Sequence, residues 1–378
     1  MRRLATILRA LVRGPGMVAV LAIGAVVAGV APAFDADDLV LPPGFSIATY
    51  AEGVSDARQL AIGANGTVFA GSREAGLVHA IHDDDGDGRA ERVELLAEGL
   101  YMPSGIAYRD GSLFVAAVSR ILRFDGVDGT TVAGIEPTVV VDDLPADAHH
   151  GWKFIAFGPD GRLYVPVGAP CNVCDPPPPY ATILSMTAEG GERTVVARGV
   201  RNSVGFDWNP AGGELWFSDN GRDWLGDDRP PGEINRVTTS GQHFGFPFRH
   251  GDDLSDPEFG GTGVGREYVA PALALGAHVA PLGVEFYQGQ AFPERYRGAL
   301  FVAEHGSWNR TQKAGYRVMV AFLDEDGLVT GYEPFVTGWL RGQAYWGRPV
   351  DFATLSDGSL LLSDDHGGRI YRVTYAAP

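Results

Sequence analysis

Short apolar stretches recur along the chain, each introduced by a polar turn that carries glycine. They read Asn65-Gly66-Thr-Val-Phe, Asp110-Gly111-Ser-Leu-Phe, Asp160-Gly161-Arg-Leu-Tyr, Gly212-Gly213-Glu-Leu-Trp, Arg297-Gly298-Ala-Leu-Phe and Asp357-Gly358-Ser-Leu-Leu. Each unit predicts a strand, a tight turn that glycine takes without strain, and a second strand. The glycines are spaced 45, 50, 52, 85 and 60 residues apart, the size of one four-stranded blade of a propeller. A blade cannot bury both faces alone, so the units must close into a ring. The expected architecture is all-β, a six-bladed β-propeller of four-stranded antiparallel blades. Phe45, Ile47 and Thr49 alternate after Pro42-Pro43-Gly44, and Arg369–Tyr375 is the strand they would pair with to close the ring. The long interval between Gly213 and Gly298 contains a polar stretch from Asp252 to Arg266, expected to be a functional loop over the active face or, alternatively, a flexible surface excursion.

The first 33 residues follow a different pattern. Arg2, Arg3, Arg9 and Arg13 precede an apolar run from Met17 to Val30, and Ala31-Pro32-Ala33 offers the small residues of a cleavage site. This predicts a secretory signal peptide over 1–33 and a propeller domain over 34–378, placing the protein in the periplasm or outside the cell. The alternative is an uncleaved membrane anchor. Cleavage after Ala33 leaves 26 basic against 47 acidic residues, about −21. Such acidity argues against nucleic acid or an anionic membrane surface as a partner. Glycine (52) and proline (25) are abundant, as a turn-dense chain requires. The only cysteines, Cys171 and Cys174, have no second pair with which to hold zinc, and Pro176 to Pro179 block a helix of the thioredoxin kind. In an oxidising compartment they predict a local disulfide that shapes a loop.

Several constellations could carry chemistry. Asp83, Asp85 and Asp87, with Gly88 and Glu94, fit the calcium-loop pattern D-x-D-x-D-G-x5-E between two strand-like flanks. The competing reading is an acidic hairpin tip. His149-His150-Gly-Trp-Lys153 stands before Phe157-Gly-Pro-Asp-Gly161, where a histidine can be a general base or half of a structural pair. Lys153 and Lys313 are the only lysines beside 28 arginines, so either can serve as a compact point charge. Arg201-Asn202 suits an anionic, carbonyl-bearing ligand, or ties neighbouring blades through backbone carbonyls.

In this order the segments resemble the soluble quinoprotein sugar dehydrogenases, closest to the sorbosone dehydrogenase-like branch, from about Leu41 to Tyr375. The most specific parts are His150-Gly-Trp-Lys153, Arg201-Asn202, Ser218-Asp-Asn-Gly-Arg-Asp-Trp224, Glu304-His-Gly-Ser-Trp-Asn-Arg310 and Gly347-Arg-Pro-Val-Asp351. The resemblance implies a propeller that binds pyrroloquinoline quinone (PQQ) and calcium and oxidises an aldose or aldosulose to a lactone or acid. It makes His150 the base, and puts Arg201, Asn202 and Arg348 against the quinone. It also lets the carbonyls of Gly221 and Arg222 hold calcium. The implied partners are a sugar and an electron acceptor such as a cytochrome or a quinone. One expected cofactor arginine falls on Val350, and the expected lysine falls within Ala303-Glu-His-Gly306. Arg310 or Lys313 is then the candidate substitute. The region expected to contact substrate reads Met102-Pro-Ser-Gly. The rival functions are a six-bladed calcium-dependent lactonase, which needs Glu, Asn and Asp clustered at the channel, and a non-catalytic binding platform.

Overall fold

The computed structural model describes residues 34–377. The leader, its cleavage site and the anchor alternative lie outside the described residues. Among the described residues helix is confined to three short 3-10 turns, at Ala36–Asp38, Gly260–Gly263 and Glu294–Tyr296. Six sheets follow one another as blades, five of them four-stranded and antiparallel and the third extended by Gln242–His243, which adds parallel to Thr194–Arg198. Blade one begins at Ala57–Ile62, blade two at Gly105–Arg109, blade three at Ala156–Phe157, blade four at Phe206–Trp208, blade five at Pro281–Phe286 and blade six at Pro349–Thr354. The second strands are Val68–Ser72, Ser112–Ala116, Leu163–Val167, Leu215–Asp219, Leu300–Glu304 and Leu360–Asp364, each directly after its repeated turn. The six turn glycines all take positive φ, from 74° at Gly298 to 87° at Gly66, the region where a side chain is strained.

Ring closure follows the alternation in Phe45–Glu52. That strand runs antiparallel to Arg369–Tyr375, with Phe45 opposite Tyr375 and Glu52 opposite Arg369. It becomes the outer strand of blade six, so the two ends of the domain lock one sheet. Phe45 meets Phe292 and Phe335 edge-on, with ring centroids 4.8 and 4.9 Å apart.

The core is not central. It lies in six apolar layers between successive blades. Phe69, Ile106 and Phe124 fill the first interface, Leu163, Val165 and Met186 the second, and Phe206, Phe217 and Phe244 the third. Trp216, Phe286 and Val302 fill the fourth, Phe301, Phe352 and Tyr371 the fifth, and Tyr50, Leu361 and Ile370 the last. Each buried side chain of this size contributes ~1.5–3 kcal/mol. With cohesion spread around the ring, the axial ends of the blades are free for polar work.

The innermost strands carry that polarity. Asp207 accepts from the Phe286 amide at 2.7 Å, Asp351 from Leu60 at 2.9 Å, and Gln59 from Ile106 and Ile155 at 3.0 Å each. These bonds pin adjacent blades together, and Gln59 of blade one also reaches past blade two to the entry of blade three. In the segment from Asp252 to Arg266, Asp256 pairs with Arg222 at 2.7 Å and His250 at 2.9 Å, which ties the excursion to the loop after Leu215–Asp219, while none of its residues lines the cavity described below.

Candidate active site

Strand direction alternates within a blade, so the segment leading into each innermost strand and the loop after each second strand open on the same face. The repeated glycine turns close the opposite face. Of the residues expected at the site, His150, Arg201, Asn202, Gly221 and Arg348 fall on these two connection types and line a cavity of about 260 Å³.

His150 precedes blade three with φ of 51°, a left-handed conformation rare for a non-glycine residue and often found at functional sites. Gly168 makes room for it, since a Cβ there would stand 2.6 Å from the His150 Cβ. The ring Nδ1 lies 2.9 Å from the Ala169 carbonyl. A carbonyl can only accept, so Nδ1 carries the proton and Nε2 keeps a free lone pair. Burial first, then the nearby charge of Arg201, holds the ring well below its ordinary pKa. His150 is therefore a neutral imidazole with one open acceptor. His149 packs on it at 4.1 Å between centroids and lines no part of the cavity.

Arg201 is buried and held from several sides. Its guanidinium donates to the Asn172 carbonyl at 2.8 Å and side-chain oxygen at 2.9 Å, to the Asn220 carbonyl at 3.0 Å and to Asp223 at 3.2 Å. Asn172 belongs to the loop closed by the Cys171–Cys174 disulfide, so the cysteine staple shapes the support of a cavity arginine. Asp219 accepts from the amides of Arg201 at 2.9 Å and Asn202 at 2.7 Å, which fixes the backbone that presents both side chains. Burial, followed by repulsion from Glu233, pushes Asp219 up to about 7.

Arg348, at the start of blade six, donates to the carbonyls of His305 at 3.2 Å and Gly306 at 3.0 Å. It makes no ion pair among the described residues. Below it, His305 sits 2.9 Å from Asp365, which also pairs with Arg58 at 2.8 Å. Burial keeps His305 down at about 4, against the pull of Asp365.

Sequence reasoning missed Arg58 and Arg73, both of which line the cavity. Arg58 is the second residue of the innermost strand Ala57–Ile62, the register position that Val350 holds in Pro349–Thr354, and a cation at that strand position was the available signal. Arg73 lies over the Trp152 ring at 5.2 Å. The indole N–H of Trp152 and Nε of Arg73 have no hydrogen-bond partner among the described residues.

Other expectations are corrected by placement. Arg310 binds the Asp227 carbonyl at 2.6 Å and the Asp228 carboxylate at 3.1 Å, outside the cavity lining. Lys313 donates to the Gln343 carbonyl at 2.8 Å, also outside it. Neither replaces the arginine absent at Val350, which is buried with Val204 and Leu282. Arg58 and Arg73 bring the additional positive charge instead. Lys153 is buried beneath its loop on the Gly151 carbonyl, and burial lowers it to about 8. Glu304 turns away to Arg317 at 2.6 Å and Tyr332 at 2.9 Å. Met102-Pro-Ser-Gly contributes nothing to the lining. The Arg222 side chain is spent on Asp256 and Glu258, at 2.7 and 3.0 Å, which leaves its carbonyl as the group of interest. No hydrogen bond among the described residues uses the carbonyl of Gly221 or Arg222.

The acidic loop is also rearranged. Asp83, Asp85 and Asp87 converge with Glu91. Glu94 instead reaches Arg92 at 3.1 Å and the Thr131 hydroxyl of blade two. Its side chain points from the strand that follows the loop, so the twelve-residue spacing of the pattern does not return it to the aspartates.

Comparison with known proteins agrees with this geometry. A family model described as glucose/sorbosone dehydrogenase matches residues 184–310, and one described as TrAA12-like matches 259–376. A protein of Borreliella burgdorferi, named only as uncharacterized, is 34% identical over 351 residues, covering 89% of this chain and 91% of its own. Among solved structures, a Trichoderma reesei carbohydrate-active enzyme of family AA12 superposes with a TM-score of 0.77 at 19% identity, covering 89% of this chain and 98% of its own. The PQQ domain of pyranose dehydrogenase from Coprinopsis cinerea gives 0.75 at 19%, covering 89% and 97%. The PQQ-bound aldose sugar dehydrogenase of Streptomyces coelicolor gives 0.64 at 21%, covering 89% and 100%. At these identities the structural likeness establishes the shared fold.

Proposed function

We propose that the chain, which matches the glucose/sorbosone dehydrogenase family model over residues 184–310, is a sugar oxidoreductase of that family, an exported quinoprotein oxidising an aldose or aldosulose with PQQ and calcium. The observation that carries this reading is the donor set of the cavity. Arg348 has a guanidinium with no carboxylate partner, and Trp152 and Arg73 add N–H donors without acceptors. A multiply anionic, carbonyl-bearing group satisfies these together, and PQQ is such a group. Arg348, Arg201 and Asn202 would hold it, with Arg58 and Arg73 adding positive potential. The carbonyls of Gly221 and Arg222, left without donors, would hold calcium. When bound, PQQ supplies a hydride acceptor whose carbonyl is polarised by the metal.

The residues of the chain do the rest. His150 Nε2 takes the proton of the sugar hydroxyl while hydride leaves the same carbon, so the alcohol loses two electrons and two hydrogens in all. The Ala169 carbonyl holds the imidazole in the tautomer this needs, and burial keeps it unprotonated. The lactonase alternative loses ground because the nearby buried carboxylates already accept backbone amides. Asp219 is spent on Arg201 and Asn202, and Glu233 on Gly251. Export is supported by the Arg-rich leader and the oxidised cysteine pair.

The test is the visible absorption spectrum of protein loaded with PQQ and calcium, before and after addition of aldoses. Sugar should convert the oxidised spectrum to the reduced one. A chelator should abolish the change, and calcium plus PQQ should restore it. Wild-type protein that binds no PQQ would remove the dehydrogenase reading and favour the binding platform.

A further inference from the structure

Two tryptophans stand exposed at the mouth of the cavity. Trp224 and Trp308 are each 67% exposed, against the usual burial of so large an apolar ring. Trp308 lines the cavity, and Trp224 follows Asp223, which lines it too. Their rings meet edge-on with centroids 5.4 Å apart. They come from different blades, Trp224 from the loop after Leu215–Asp219 and Trp308 from the loop after Leu300–Glu304.

The arrangement is held in place. Trp224 has φ of 71°, strained for a bulky side chain and sustained only where the surroundings impose it. Arg310 clamps its loop through the Asp227 carbonyl at 2.6 Å and Asp228 at 3.1 Å, and the Thr311 amide adds Asp227 at 3.0 Å. His278 holds the Gly226 carbonyl at 2.8 Å. Arg310 therefore braces the two tryptophan loops against each other.

The cavity measures about 260 Å³, below the ~300–1,000 Å³ usual for a ligand pocket. A space of that size encloses one flat cofactor and the reacting sugar ring at most, which leaves any further ring at the mouth, beside the tryptophans. We infer that Trp224 and Trp308 form a stacking subsite for the sugar ring next to the one being oxidised, so that the preferred substrates are reducing-end oligosaccharides. The apolar face of a pyranose packs on an exposed indole, and two indoles set at 84° grip a ring from two sides. This rests on the sugar-oxidising reading of the cavity.

The test compares glucose and galactose with maltose, cellobiose and lactose, by titration calorimetry on the PQQ- and calcium-loaded protein and by steady-state kinetics with a small dye acceptor. At least one disaccharide should bind roughly tenfold tighter than its own reducing-end monosaccharide. Trp224→Ala, outside the cavity lining, should remove that gain through KM, leave kcat unchanged, and leave monosaccharide binding within about twofold, and Trp308→Ala should weaken disaccharides more than monosaccharides. Trp308→Phe should keep part of the gain. Melting temperatures of the variants show that they remain folded. Equal binding of monosaccharides and disaccharides by the wild type overturns the inference, as does equal weakening of both classes. Variants that alter only the KM for cytochrome c as acceptor overturn it in favour of a redox-partner surface. If loaded protein prefers a disaccharide in calorimetry yet oxidises no sugar, the subsite stands and the proposed reaction fails.

Discussion

Replacing Arg348 by alanine isolates the positive charge that best marks this cavity as a site for an anion. Its guanidinium is held by two carbonyls, of His305 at 3.2 Å and Gly306 at 3.0 Å, and lies 5.6 Å from the rings of both Tyr316 and Tyr345. Those neighbours orient the charge without neutralising it. A cofactor carboxylate ~4 Å away gains about 4 kcal/mol at an effective dielectric of ~20. Truncating one member of a desolvated charge pair costs ~2–5 kcal/mol. The variant should therefore bind PQQ ~30- to ~5,000-fold more weakly. Arg348→Lys keeps the charge but cannot bridge two carbonyls and a carboxylate as a planar fork does, so it should fall between wild type and alanine. Titration calorimetry with PQQ in excess calcium measures the loss, and Tm of each variant reports whether the fold survives. Arg310→Ala and Lys313→Ala supply the contrast, because their partners lie outside the cavity. Each should change PQQ affinity by less than ~0.5 kcal/mol. An Arg348→Ala protein within twofold of wild type refutes the reasoning, and so does an Arg310→Ala protein that loses as much.

His150→Ala should slow the chemical step at least ~100-fold while PQQ still binds. The depressed pKa of His150 also places the acid limb of the rate below its ordinary 6.5, because the base works only when neutral; a stopped-flow pH profile limited above that value would count against the assignment. Burial, with Asp207 and Asp351 nearby, pushes Glu285 up to about 8. The folded protein thus keeps a proton that the unfolded chain releases near ~4.3, so stability falls as pH rises across that window; Glu285→Gln should raise Tm at pH 8 more than at pH 5, and an equal effect at both rules the argument out. Non-reducing mass spectrometry should find Cys171 linked to Cys174. The double serine variant should then loosen Asn172 and weaken PQQ several-fold, whereas unchanged affinity would confine the staple to the loop itself.

The architecture was legible because it rests on local chemistry repeated six times. A positive-φ glycine and the apolar strand after it can be read anywhere in the chain, and the alternation in Phe45–Glu52 identifies the closing strand. His150, Arg201, Asn202 and Arg348 were legible for a related reason, since each lies in a compact motif that keeps its meaning outside the fold. The anchoring of the excursion from Asp252 was not legible. It depends on Asp256 reaching Arg222 and His250, a pairing that no spacing encodes. Glu94 failed for the converse reason, because a twelve-residue pattern proper to a helix-flanked loop was applied to a hairpin. In the hairpin the flanking strand carries residue 94 along its own direction, and Glu91 is the one that returns.

The missing arginine shows how a site can be rebuilt from positions far apart in sequence. Val350 packs against Val204 and Leu282, so the innermost strand of blade six contributes apolar contact where a charge was expected. Arg58 and Arg73 enter from blade one, next around the ring, and Arg58 shares Asp365 with His305. Blade one becomes the neighbour of blade six only when Phe45–Glu52 pairs with Arg369–Tyr375. The closing strand therefore does more than complete a sheet, because it brings nearly opposite ends of the chain to one cavity. A reading confined to motifs in chain order looks for a substitute near residue 350 and settles on Arg310 or Lys313. In a closed ring every blade is equally near the axis, and a cation lost from one innermost strand can be replaced from the adjacent blade at any sequence distance.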